Sequence, residues 1–110
     1  MKKKIHITLN ELGVPFHLKG RDYIEAAIEL ILNEGRIEII KELYPRLAKE
    51  FNTTPLRIER GIRTAIEETF SNSDPESINN VFGNTFLNKN RKLKNSNFLY
   101  GIAKHIQVYG

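Results

Sequence analysis

Hydrophobic residues recur at helical spacing through most of the chain. Between Arg21 and Asn33 they fall at intervals of three and four residues, which predicts a long amphipathic helix that Gly35 closes. No segment alternates apolar and polar residues in the way a strand does. The pattern therefore predicts an all-α domain of about six short helices. Besides the long helix, the predicted helical segments are a turn over 8–12 that Gly13 ends and helices over 36–43, 45–51, 55–70, 75–82 and from 95 or 96 onward.

A proline separates two of these helices. Pro45 disfavours helical geometry in the residue before it, so the helix over 36–43 should stop near Tyr44. Pro45 itself suits the first position of the next helix. The inward face of the helix before the proline is predicted to hold Ile37, Ile40 and Leu43.

Capping residues precede the later helices. Thr54 can accept a hydrogen bond from the free amides at the start of a helix, and Asp74 is predicted to do the same for the short helix after it. Asn95 or Ser96 is predicted to cap the last helix. The intervening stretch, residues 84–94, is predicted as a loop.

Composition and length narrow the class of protein. With 110 residues, 40% hydrophobic and 27% charged, the chain has enough apolar material for one packed domain over 1–110. Cys is absent, which excludes disulfides and thiolate metal sites and makes a cytoplasmic location the expectation. No apolar run approaches the roughly 18 residues that cross a bilayer, so we expect no membrane insertion. Residues 1–4 are predicted to be flexible.

The net charge of +4 is concentrated at the two ends of the chain. Three lysines occupy positions 2–4, residues 5–76 hold nine basic and thirteen acidic residues, and residues 77–110 hold five basic and no acidic residues. Basic ends of this kind attract a polyanion, and nucleic acid is the first candidate.

Two of the predicted helices are joined by a turn of three residues, Asn52 to Thr54, which is typical of a helix-turn-helix. Ala48 lies where the first helix must let the second pass closely, Asn52 can adopt the left-handed conformation of a tight turn, and Ile58 anchors the second helix. At about 100° per residue, one side of the second helix, opposite its apolar stripe, carries charged and polar residues. They are Glu59, Arg60, Arg63, Thr64 and Glu67.

This polar side has the chemistry to read base pairs. Arginine forks can reach the O6 and N7 acceptors of guanine, and a carboxylate such as Glu59 can accept from N4 of cytosine. The alternative is that the same charges form an ordinary solvated helix surface. The position directly after a helix-turn-helix turn favours base reading.

Several runs of the sequence, in order along nearly the whole chain, match a known pattern. They are GVPFHLKG at 13–20, LYPRLAKEF at 43–51, NTT at 52–54, LRIERGIRTAIE at 56–67, SINNVFG at 77–83 and NSNF at 95–98. Together they resemble the DNA-binding effector domain of the stage zero sporulation protein A family. That resemblance implies a six-helix fold that binds short boxes in bacterial promoters, often in tandem, and acts with RNA polymerase. A second copy on tandem sites would be a further partner.

The resemblance also implies roles for single residues. Glu59, Arg60 and Arg63 match the family's base-reading residues, and Thr64 stands where its members usually have His, which leaves the exact box open. Arg57 matches a basic residue that is better placed for phosphate. The set predicted to contact phosphates is Thr54, Arg57, Lys89, Arg91, Lys92 and Lys94.

Regulators of this family carry a receiver domain, and 110 residues leave no room for one, so we expect DNA binding that does not depend on phosphorylation.

No cofactor, metal or catalytic site is predicted, because His6, His17 and His105 lack the spacing of metal ligands and no nucleophile or phosphate-loop motif is present. The alternative function is a helical protein-interaction module that has lost specific DNA reading.

Overall fold

Six α-helices and one π-helical segment make up the part of the chain that the structure describes, residues 2–83 and 93–110 of a computed structural model. No strand occurs in these residues, and the predicted all-α fold is confirmed. The helices are α1 (Lys2–Leu12), α2 (Lys19–Glu34), α3 (Tyr44–Glu50), α4 (Pro55–Asn72), α5 (Pro75–Phe82) and α6 (Asn95–Tyr109), with the π-helical segment Ile39–Leu43 directly before α3.

The predicted long helix, α2, is the element around which the others pack. It contacts α1, α3, α4 and α6, and its apolar stripe is fully buried between them. Fully burying a side chain of this kind contributes about 1.5 to 3 kcal/mol, so the stripe is a main source of stability. Its members include Ile24, Ala27, Ile28 and Ile31.

The backbones of α2 and α4 approach each other closely where the two helices cross. A Cβ atom added to Gly20 would lie 2.1 Å from the carbonyl oxygen of Gly61 and 2.8 Å from the Cβ of Ala65. A Cβ added to Gly61 would in turn meet the Tyr23 ring at 2.8 Å. Only glycine allows the two backbones to come this close, and the predicted second helix of the helix-turn-helix is thereby held against the core.

The first helix is longer than the predicted turn over 8–12. It begins at Lys2, so the lysines that we predicted to be flexible form its first turn. Ile5, Leu9 and Leu12 are buried on one side of it. Gly13, with φ of 79°, ends the helix as predicted.

A buried arginine joins α1 to α2. The side chain of Arg21 is 1% exposed and donates to the carbonyl oxygen of Val14 (2.8 Å), to Oδ1 of Asn10 (3.0 Å) and to Oε2 of Glu25 (2.7 Å). The Phe16 ring lies over the guanidinium, 4.5 Å from ring centre to Cζ. A buried charge is tolerated only when it is paired and hydrogen-bonded, and this guanidinium is both.

The prediction of a regular helix over 36–43 is wrong. Residues 36–38 are not helical, and Ile39–Leu43 is a π-helical segment in which the amide of Leu43 donates to the carbonyl of Glu38 (3.0 Å). Ile40, predicted to face inward, is 73% exposed.

The chain also does not break before Pro45. Tyr44 keeps helical geometry, with φ of −61° and ψ of −43°, and its amide donates to the carbonyl of Ile39. In a regular helix the proline ring would clash with the carbonyl four residues earlier. The wider π-helical turn relieves that clash, so the chain stays helical through the proline into α3.

The later boundaries lie close to their predicted positions. α4 runs two residues past the predicted end at 70, and α5 ends at Phe82 before Gly83. Asp74 occupies the N-cap position of α5, but its side chain makes no capping hydrogen bond, which corrects the predicted cap.

We expect Gly20→Ala to destabilise the protein. The new Cβ would meet backbone atoms of α4, which cannot rotate away, and overpacking of this kind costs about 1 to 3 kcal/mol or more. The measurement is the free energy of unfolding from urea titration.

Gly101→Ala is the matched control. A Cβ there would meet only the Phe82 ring, at 2.7 and 2.9 Å, and that ring is partly exposed and can move. Gly101→Ala should therefore change stability much less. Equal losses in the two variants would contradict the importance of the Gly20–Gly61 contact.

Candidate nucleic-acid interface

The turn between α3 and α4 is a Schellman motif built around Asn52. The amide of Thr53 donates to the carbonyl of Ala48 (2.9 Å), and the amide of Asn52 donates to the carbonyl of Lys49 (3.4 Å). Asn52 has φ of 54° and is the one non-glycine residue with positive φ among those described. The predicted left-handed turn residue of the helix-turn-helix is confirmed.

The start of α4 is fixed by a cap. Oγ1 of Thr54 accepts a hydrogen bond from the amide of Arg57 (3.2 Å), and Pro55 occupies the first helical position, both as predicted. The inner side of α4 then packs into the core. The buried residues on that side are Ile58, Ile62, Ala65, Ile66 and Thr69.

The four predicted base-reading residues lie together on the opposite, outer side of α4. Arg60, Arg63 and Thr64 are exposed, and the side chain of Glu59 remains 32% exposed. Nη2 of Arg63 lies 3.4 Å from Oε1 of Glu59, an ion pair across one helical turn. Arg60 has no ion pair with any residue that the structure describes. We call these four residues the outer face of α4.

The predicted phosphate-contacting residues are placed in part. Arg57 and Thr54 are exposed in the first turn of α4 and directly before it. Lys94 is exposed next to α6 and lines one groove with Glu59 and Arg63. The remaining three, Lys89, Arg91 and Lys92, lie outside the described residues.

The position of Asn95 differs from the prediction, and its contacts add a residue to the site. It was predicted to cap the last helix, but Lys94 occupies the N-cap position and Asn95 is the first residue of α6. Nδ2 of Asn95 donates to the hydroxyl of Tyr44 (3.0 Å) and to the carbonyl oxygen of Glu59 (3.0 Å). Sequence periodicity carries no signal for this contact, because the partners are 36 and 51 residues away along the chain.

The hydroxyl of Tyr44 lies beneath the outer face. Burial raises the pKa of Tyr44 above its usual 10.0, and the nearby Glu59 carboxylate raises it further. The hydrogen bond from Asn95 and the charge of Arg63 act in the opposite direction. The phenol is therefore neutral and within electrostatic reach of both charges.

A second link holds α3 against the end of α2. Arg46 donates to both carboxylate oxygens of Glu34, at 2.7 and 2.6 Å. This bidentate hydrogen bond lowers the pKa of Glu34. Because both side chains are exposed, the pair contributes to orientation more than to stability.

The histidines occupy separate surroundings. Nδ1 of His6 lies 3.4 Å from both Nη2 of Arg21 and Oε2 of Glu25, His105 packs on the Tyr109 ring, and His17 is exposed. Within the described residues no group of three or more His, Asp or Glu side chains is arranged to hold a metal ion.

The short α3, the Schellman turn and the exposed outer face of α4 define a helix-turn-helix domain of the kind that binds DNA. A family model described as Sporulation initiation factor Spo0A C terminal matches residues 5–106. The chain belongs to this family, whose members are DNA-binding effector domains of sporulation regulators, not catalytic domains, and the resemblance inferred from the sequence is confirmed. Among the helices described here, none is long and apolar enough to span a membrane.

The left-handed turn should tolerate glycine but not a branched residue at position 52. We expect Asn52→Gly to leave the free energy of unfolding within about 0.5 kcal/mol of the wild type. Asn52→Val should lower it by about 1 to 2 kcal/mol, because a β-branched side chain is strained at positive φ. Urea unfolding of the three proteins measures this, and an Asn52→Val protein as stable as Asn52→Gly would refute the strain argument.

Tyr44 should make the protein less stable at alkaline pH. Since its folded-state pKa is raised, its stabilising contribution is complete below the usual tyrosine pKa of 10.0 and disappears as the pH rises through the folded-state pKa. The free energy of unfolding should therefore fall with pH in this window, and fall less steeply in Tyr44→Phe. Tyr109→Phe is the control, because it removes the hydroxyl of a tyrosine that is 78% exposed. Identical slopes in all three proteins would exclude a role for Tyr44.

Proposed function

We propose that this protein is a sequence-specific regulator of transcription that binds double-stranded promoter DNA in the bacterial cytoplasm, with α4 in the major groove. The observation that carries the proposal is the outer face of α4, which presents Glu59, Arg60 and Arg63 to solvent directly after a helix-turn-helix turn. Membership in a family of DNA-binding effector domains supports it.

Each residue of the outer face suits a particular base edge. Arg60 and Arg63 can donate two hydrogen bonds each to O6 and N7 of guanine, and Glu59 can accept from N4 of cytosine. The methyl group of Thr64 suits the methyl group of thymine. The proposed box is therefore rich in G·C pairs where the two arginines contact it.

The basic residues around the outer face have a different role. Arg57 in the first turn of α4 and Lys94 beside the groove can contact phosphates on either side of the bases that α4 reads. The same role is proposed for Thr54, Lys89, Arg91 and Lys92. Contacts of this type set affinity and salt dependence and fix the register of the protein on the duplex, without reading sequence.

Two further partners belong to the proposal. On tandem boxes two copies of the chain would bind side by side, and RNA polymerase would be the protein that the bound domain recruits or blocks. Both rest on the family membership alone.

The test begins with selection of bound duplexes from a random-sequence library, because Thr64 leaves the exact box open. Binding of the selected duplex and of a scrambled duplex is then titrated at two salt concentrations. The proteins compared are the wild type and the double variant Arg60→Ala, Arg63→Ala. Each bidentate base contact that is lost should weaken binding of the selected duplex by about 1 to 3 kcal/mol. The preference over the scrambled duplex should disappear.

Lys94→Ala serves as the contrasting variant. It also removes a positive charge, yet it should weaken binding to both duplexes equally. The slope of log K against log salt concentration should fall by the amount that corresponds to about one phosphate contact. If the selection enriches no sequence and the wild type binds every duplex alike, specific reading is excluded, and a protein-interaction module becomes the better account of the fold.

A further inference from the structure

We propose that Asn95 is a positioning residue for sequence reading, through its contact with the recognition helix α4. It lies at the start of α6, outside the helix-turn-helix, and touches both of its helices through one amide group. Base contacts are not expected of it. The inference rests on the proposed function and identifies the contact that makes the reading of sequence precise.

The geometry of the Asn95 amide is determined by its partners. The carbonyl oxygen of Glu59 can only accept, so the amide nitrogen of Asn95 must face it, at 3.0 Å. The same nitrogen lies 3.0 Å from the hydroxyl of Tyr44 in α3. An amide nitrogen carries two hydrogens, so one side chain donates to both helices at once.

This contact falls at the turn of α4 that carries the predicted base readers. Glu59 supplies its carbonyl to Asn95 and its carboxylate to the ion pair with Arg63 (3.4 Å). Asn95 therefore holds the backbone from which the outer face projects. A small displacement of this turn moves Glu59, Arg60 and Arg63 together relative to the DNA.

The other contacts of this turn do not fix its position in the same way. On its inner side Ile58 and Ile62 are fully buried, and apolar contacts are not directional. The next polar restraint lies one turn earlier, at the Thr54 cap, and the glycine contact lies at Gly61 on the side toward α2. The amide of Asn95 is thus the directional restraint on the side toward α3 and α6.

Reading of base edges depends on hydrogen bonds whose distance and angle tolerances are narrow. Phosphate contacts through long, flexible basic side chains are more tolerant of a small helix displacement. Loss of the Asn95 restraint should consequently reduce discrimination between sequences while leaving nonspecific affinity and its salt dependence unchanged. A residue that only stabilises the fold would not produce that difference.

Asn95→Asp and Asn95→Ala are the test variants, and Asn97→Ala is the matched control. Aspartate keeps the shape of asparagine but cannot donate to the Glu59 carbonyl when ionised, and a carboxylate is favourable in the first turn of a helix. Asn97 is an exposed asparagine in the same first turn of α6. Thermal unfolding of each protein first establishes a temperature at which all are folded.

The measured quantity is the ratio of dissociation constants for the scrambled and the selected duplex. Both Asn95 variants should lower that ratio by about five- to tenfold, the lower end of what the loss of one good bidentate base contact produces. Tyr44→Phe, which keeps the bond to Glu59, should lower it less. Asn97→Ala should not change it. Binding of the scrambled duplex and its salt slope should stay constant in every variant except Asn95→Asp, whose added negative charge beside Lys94 weakens binding to both duplexes alike.

Three outcomes would overturn the inference. An unchanged ratio in both Asn95 variants, beside a wild type that prefers the selected duplex, would refute the role of Asn95 and leave the proposed function standing. Equal weakening on both duplexes by the uncharged Asn95→Ala variant would mean that Asn95 is merely structural. A wild type that prefers no duplex would remove the proposed function and this inference with it.

Discussion

The contact between Gly20 and Gly61 is the constraint on which the arrangement of the other helices depends. Because neither residue has a side chain, the backbones of α2 and α4 touch, with no room for a Cβ on Gly20. This close approach brings the inner stripe of α4 into the core formed by α2, and α3 and α6 then pack against the same pair. The contact fixes how closely α4 lies against α2, and the Asn95 amide restrains the same turn on the side toward α3 and α6.

The two sides of α4 are consequently used for different purposes. Buried aliphatic residues occupy the inner side. Polar contacts at three places define the position of α4: the Schellman turn at Asn52, the cap at Thr54 and the amide of Asn95. The turn and the cap lie directly before α4, and Asn95 is distant in sequence, so local and long-range contacts together hold one helix. Since those contacts involve main-chain atoms, the side chains of Arg60 and Arg63 remain available on the outer side.

The features predicted correctly from the sequence are those with local causes. The cap at Thr54 and the left-handed turn at Asn52 follow from side-chain and backbone preferences within a few residues, and the buried stripes follow from periodicity. The region before α3 was predicted wrongly because the spacing of Ile37, Ile40 and Leu43 fits one face of a regular helix, whereas the structure has a π-helical turn at 39–43 and leaves Ile40 exposed. Asn95 looked like a cap because its actual partners are distant in sequence.

The ion pair between Glu59 and Arg63 bears on whether the outer face can read bases at all. Both groups would have to leave each other to contact a G·C pair. Their separation of 3.4 Å and their exposure to solvent make this a weak surface pair, and such helix pairs contribute only about 0.3 to 0.5 kcal/mol. A bidentate contact with guanine contributes about 1 to 3 kcal/mol of discrimination, so exchange of partners is favourable.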